Sequence, residues 1–141
     1  GNIMVRTAKS APYLGNVGSH LVEHFYEAIR ADEMLGPIFG AKVSDWPHHL
    51  ARMKDFWASI MLESGRFSGN PMRKHMAVGG LDAAHFARWQ SLWDATLTQI
   101  APNKQVADRF RDAAQRIGES LLTGIQIERG GLAAIAAKAA A

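Results

Sequence analysis

The chain has 141 residues, 48% hydrophobic and 21% charged, with a formal net charge of +3 and a pI near 9.5. That length sets one domain with one core, and the composition excludes both a disordered chain and a disulfide-stapled mini-protein. With no cysteine there is no disulfide, zinc–thiolate site, iron–sulfur cluster or thiol nucleophile, so any metal is held by histidine or carboxylate.

The lysines and arginines are spread along the chain rather than gathered in a run, which argues against nucleic acid as a partner. No stretch approaches the roughly 18–20 uninterrupted apolar residues of a membrane span, so no membrane partner is expected. The first twenty residues hold no apolar block ending in a cleavage-like site, and the expected compartment is the cytoplasm. Gly1 is set aside as a processed or added end. A single domain is expected over 1–141, with its core at about 17–128 and flexible ends at 1–10 and 132–141.

Apolar spacing is helical almost throughout, and no segment reads as a strand. A first helix is expected from about Gly18 to Ala31, N-capped by Ser19, with Leu21, Phe25, Ala28 and Ile29 along its stripe. Leu35-Gly36-Pro37-Ile38-Phe39-Gly40 then reads as an apolar turn. Ser44 and Asp45 before Trp46-Pro47 signal a helix start, and Trp46, Leu50, Met53, Phe56, Trp57 and Ile60 keep to one side of the helix that follows. It is expected to stop before Ser64-Gly65. Phe67-Ser68-Gly69-Asn70-Pro71 is turn chemistry, and the residues around His75 allow a short helix.

Asp82 caps a third long helix running to about Ala101, with Phe86, Trp89, Trp93 and Ile100 as its stripe and Leu92 and Leu97 beside it. After Pro102-Asn103, a fourth is expected from about Lys104 to Glu128 through Val106, Phe110, Ile117, Leu121 and Ile125. Gly130-Gly131 should end it. The last ten residues are alanine-rich, and no internal repeat is found.

An all-helical domain draws attention to polar residues on faces that ought to be apolar. His49, three after Trp46 and four before Met53, points with the buried stripe. Taken alone it reads either as a satisfied core histidine or as a ligand. Tyr26 and Trp89 each bring a donor on a large ring to the inner faces of their helices, as core aromatics bonded to nearby carbonyls or as site residues. His75, in Arg73-Lys74-His75-Met76, is either a surface histidine or an iron ligand with Arg73 or Lys74 able to meet haem propionates. His20 and His24 have i, i+4 spacing, which suits a solvated pair or a divalent metal, but no third ligand and no HExxH pattern accompany them. There is no GxGxxG, GxxxxGK[ST], GxSxG or calcium loop, and Glu23, Glu27 and Glu63 form no ExxH pair. Covalent CxxCH haem attachment is also missing, so a histidine-ligated, non-covalent haem is the cofactor reading left standing.

Phe25-Tyr26, Leu35-Gly36-Pro37-Ile38-Phe39, Trp46 with His49, Phe56-Trp57, Arg73-Lys74-His75, and Phe86 with Trp89 and Leu92 together resemble the truncated haemoglobins of the third group. The resemblance runs from about Leu21 to Leu122, with His49 and His75 standing 26 positions apart across a turn-rich connection. The glycine-pair motifs of the other two groups are not evident. This resemblance implies a two-over-two helical sandwich around haem b, with His75 as proximal iron ligand on the short helix and Tyr26, His49 and Trp89 as distal polar residues. Bound dioxygen carries partial negative charge, and a donor within about 2.7–3.2 Å stabilises it, Tyr26 and Trp89 being the leading donors. His49 is then either a gate that swings to admit ligand or a sixth ligand that closes the iron. Arg52 is placed toward a propionate, and Phe39, Met53, Phe56, Trp57, Met76, Phe86 and Trp93 supply the apolar walls.

The expected function is a haem protein that binds dioxygen, nitric oxide, carbon monoxide or related diatomics. Strong hydrogen bonding suits slow release and oxidative chemistry, such as nitric oxide dioxygenation or peroxide reduction, better than bulk oxygen delivery. Turnover would draw electrons from an external reductase, since the chain has no flavin or nicotinamide domain. Two rivals stand beside it: a haem-free helical interaction or sensor module whose aromatics are only core, and a divalent-metal site on His20 and His24.

Overall fold

The computed structural model describes residues 2–62 and 81–140, and every regular element among them is a helix. In chain order these are α1 (Asn2–Ala31), α2 (Gly36–Lys42), α3 (Trp46–Leu62), α4 (Ala83–Ile100) and α5 (Lys104–Ala140). The short helix expected around His75, and the stop expected at Ser64-Gly65, lie outside the described residues.

α1 begins well before the expected cap at Ser19, which is an interior residue of the helix. The reason is packing that continues N-terminal to Ser19: Val17 is buried, and a Cβ at Gly18 would stand 3.7 Å from the Phe110 ring of α5. This close approach keeps the backbone helical where cap chemistry alone would have begun it.

Gly36-Pro37, expected within a turn, instead opens α2. Proline occupies its first turn, where a missing N–H removes no helical bond. Asp32 organises the preceding bend, its Oδ2 accepting from the Met34 and Leu35 N–H groups at 3.1 and 3.0 Å. The bend is tight, for a Cβ at Gly36 would meet the Arg30 carbonyl oxygen at 2.8 Å and that of Ile29 at 3.3 Å. Gly36→Ala is therefore expected to destabilise the fold by about 1–3 kcal/mol, the range of overpacking strain. A urea unfolding curve that matched wild type would show that the α1–α2 approach relaxes freely.

α3 and α4 start where the sequence places them. Asp45 Oδ1 accepts from the His48 N–H at 3.1 Å at the head of α3. Asp82 caps α4 by accepting from the Ala84 and His85 N–H groups, while the His85 side chain accepts the Asp82 N–H in return. α5 does not end at Gly130-Gly131 but continues to Ala140. Two glycines cost about 1 kcal/mol each in a helix, and the alanine-rich stretch that follows has the highest helix propensity of any residue type.

α1 packs on both α3 and α4, and α4 packs on α5, giving the two-over-two sandwich. Leu21, Phe25 and Ile29 of α1, Trp57 and Ile60 of α3, Trp93 and Leu97 of α4, and Phe110, Ile117 and Leu121 of α5 join in one core cluster. No helix among the described residues is long and apolar enough to cross a membrane.

Candidate functional site

Successive residues on a helix stand about 100° apart, so Phe25 and Tyr26 share the buried half of α1 yet face different neighbours. Phe25 turns its ring to α4, edge-on to Trp89 at 5.7 Å and Trp93 at 4.8 Å. Tyr26 turns to α2 and α3, meeting Phe39 at 5.9 Å, Trp46 at 6.0 Å and His49 at 5.0 Å. At 5% exposure Tyr26 is desolvated, and burial pushes its phenol well above the ordinary tyrosine range. The hydroxyl thus keeps its proton and remains a donor. Among the described residues, none hydrogen bonds to it.

His49 stands edge-on to both Tyr26 and Trp46, and its Nε2 is wholly shielded from solvent. Trp46 is half-buried and carries the exposed Arg30 guanidinium over its ring at 4.4 Å, a cation–π contact at the edge of this cluster.

Trp89 of α4 lies parallel to Trp93 at 6.5 Å, and a Cβ at Gly118 of α5 would stand 3.6 Å from its ring. The two tryptophans differ in their N–H groups. Trp93 Nε1 donates to the Phe110 carbonyl at 3.0 Å, whereas the half-buried Trp89 indole has no hydrogen-bond partner among the described residues. Trp89, Phe86, Phe39, Leu35, Leu81 and Leu121, with His85, line an apolar crevice. Phe39 lines this crevice and also contacts the Tyr26 ring, so the crevice and the Tyr26 cluster adjoin at that residue.

Of the expected site residues, the structure gathers Tyr26, His49 and Phe39 in one cluster and Phe39, Phe86 and Trp89 in the adjoining crevice. Met53 and Phe56 are half-buried on α3 against the core. Trp57 and Trp93 stack on each other at 4.5 Å inside the core itself. Arg52 is exposed on α3. Arg73, Lys74, His75 and Met76 lie outside the described residues. His20 and His24 are exposed on α1, and among the described residues no group of three or more histidines, cysteines, aspartates or glutamates could hold a metal.

Three participants, Arg30, Asp32 and Arg88, escaped the sequence reading. Arg30 and Trp46 meet only through the α1–α3 packing, and Asp32 and Arg88 pair across 56 positions of chain. No local spacing announces either contact.

No protein-family model matches the chain. A group 3 truncated hemoglobin of Campylobacter jejuni is 34% identical over 101 residues, covering 69% of this chain and 79% of its own. The chain belongs to the group III truncated haemoglobins. The crystal structure of a group III truncated hemoglobin from Campylobacter jejuni superposes with a TM-score of 0.70 at 30% identity, over 79% of this chain and 90% of that one. The helical sandwich is thus the globin fold of that neighbour.

Proposed function

We propose that this truncated haemoglobin holds haem b non-covalently and binds dioxygen, nitric oxide and carbon monoxide reversibly at an iron ligated by His75. The observation that carries this reading is Tyr26, a buried donor kept in its proton-bearing form among the rings of Phe39, Trp46 and His49, with no described residue hydrogen-bonded to its hydroxyl. A ligand bearing partial negative charge would accept from this hydroxyl in a charge-assisted hydrogen bond. The adjoining crevice, walled by Phe39, Phe86 and Trp89, supplies the apolar lining that a macrocycle face requires, and its volume of about 30 Å³ means that these side chains would move apart to admit haem.

Bound haem would supply an iron with one open position for a diatomic ligand. Tyr26 and Trp89 would then donate to that ligand, and His49, held between Tyr26 and Trp46, would gate the position or occupy it. Arg52, Arg73 and Lys74 would meet the propionates, and Met53, Phe56 and Met76 would complete the walls. Two donors to one ligand would favour slow release. That suits nitric oxide dioxygenation or peroxide reduction, with electrons from an external reductase in the cytoplasm, over bulk oxygen delivery.

The test is an absorption spectrum of the purified protein, ferric and dithionite-reduced, with and without carbon monoxide, compared with His75→Gly. A Soret band that shifts with carbon monoxide, together with an altered iron signature in the variant, is the expected result. A colourless protein that cannot be reconstituted with haem would overturn the reading, and the aromatics would revert to core.

A further inference from the structure

We propose that the Asp32–Arg88 ion pair is a positioning pair for the ligand pocket, setting where the Trp89 indole stands relative to the Tyr26 hydroxyl. This inference rests on the haem pocket proposed above. Asp32 follows Tyr26 by six positions at the end of α1, and Arg88 immediately precedes Trp89 on α4. The Asp32 side chain is only 2% exposed, and both of its oxygens are engaged. Oδ1 accepts from Arg88 Nε at 2.6 Å and from its terminal nitrogen, while Oδ2 accepts from the Met34 and Leu35 N–H groups that lead into α2. One carboxylate therefore joins the three helices that carry Tyr26, Phe39 and Trp89.

The need for such a joint follows from how Trp89 is held. Its indole makes ring contacts with Phe25 and Trp93 and lies beside Gly118, but no hydrogen bond among the described residues fixes its direction. Apolar contacts are non-directional and tolerate sliding, whereas charge-assisted hydrogen bonds fix distance and angle. The direction in which Trp89 points is thus inherited from the placement of α4. Among the described residues, the Asp32–Arg88 pair is the ion pair that fastens α4 to the end of α1. The arrangement also holds through neutral and mildly acidic conditions, since Arg88 and the two N–H groups keep the Asp32 carboxyl below its ordinary range.

The experiment compares wild type, Arg88→Gln, Arg88→Lys and Asp32→Asn as haem-loaded proteins. Half of the Arg88 side chain is exposed, so its variants should fold. The readouts are the C–O stretching frequency of the carbon monoxide complex, the dioxygen dissociation rate and Tm. Arg88→Gln is expected to shift the stretch to higher wavenumber and to raise dissociation about threefold, the factor for one weakened hydrogen bond. Arg88→Lys, which keeps a cation on Asp32, should stay near wild type. Asp32→Asn, which keeps an acceptor for Met34 and Leu35 but loses the charge, should follow Arg88→Gln. A stretch and a rate equal to wild type in haem-loaded Arg88→Gln, even with a lower Tm, would overturn the positioning role and leave a structural one. If wild type itself takes up no haem, the pocket reading falls and this inference with it.

Discussion

Trp93→Ala is expected to be the most damaging single substitution among the described core residues, costing about 3–5 kcal/mol of stability. Trp93 has no exposed surface and stands where all four long helices meet. Its indole stacks on Trp57 of α3 at 4.5 Å and lies edge-on to Phe25 of α1 at 4.8 Å. It also faces Phe110 of α5 at 6.3 Å, and its Nε1 donates to the Phe110 carbonyl. Truncation would remove the transfer free energy of the largest side chain and leave a cavity bounded by helices that cannot all collapse into it. Trp93→Phe should cost clearly less, because a ring still fills most of the space and only the donor and part of the stack are lost. Urea unfolding of the two variants checks this. If Trp93→Ala cost under about 1 kcal/mol, the stack would be peripheral and the core would be held elsewhere.

The same residue shows what the sequence made legible. Trp93 falls on the stripe with Phe86 and Trp89, and period 3.6 alone placed it inside. Val106, Phe110, Ile117, Leu121 and Ile125 of α5 are likewise all buried as their spacing required. Capping chemistry located the starts of α3 and α4, since Asp45 and Asp82 act within three residues of themselves. It misled at Ser19, where tertiary packing of Gly18 on Phe110 overrode a local signal, and at Gly36-Pro37, where a reading of glycine and proline as breakers missed that proline suits a first turn. For the candidate site, ring donors on apolar faces marked Tyr26 and His49, which the structure brings together, and Trp89, which it places in the adjoining crevice. Arg30 over Trp46 and Arg88 on Asp32 were invisible because a contact between helices leaves no period in either one.

Tyr26→Phe is expected to raise the dioxygen dissociation rate of the haem-loaded protein about 10–100-fold while leaving folding stability unchanged. A hydrogen bond to a charge-bearing acceptor contributes about 1.5–3 kcal/mol, and each 1.4 kcal/mol is tenfold in the equilibrium. Phenylalanine keeps the ring that meets Phe25, Phe39, Trp46 and His49, so packing survives the change. What it removes is a hydroxyl to which no described residue hydrogen bonds, so no hydrogen bond within the described fold is lost with it. Stability and ligand retention should therefore move independently, which a residue of the structural core could not achieve. The sign of the phenol's shift adds a second check. Its acidity is weakened by burial, so the donor form persists below the raised value, and the wild-type dissociation rate should show no step from Tyr26 across neutral pH. Stopped-flow ligand replacement and urea unfolding, run on the same two proteins, decide the matter. A variant that loses stability without releasing dioxygen faster would show that the Tyr26 hydroxyl serves the fold, and the donor role would pass to Trp89.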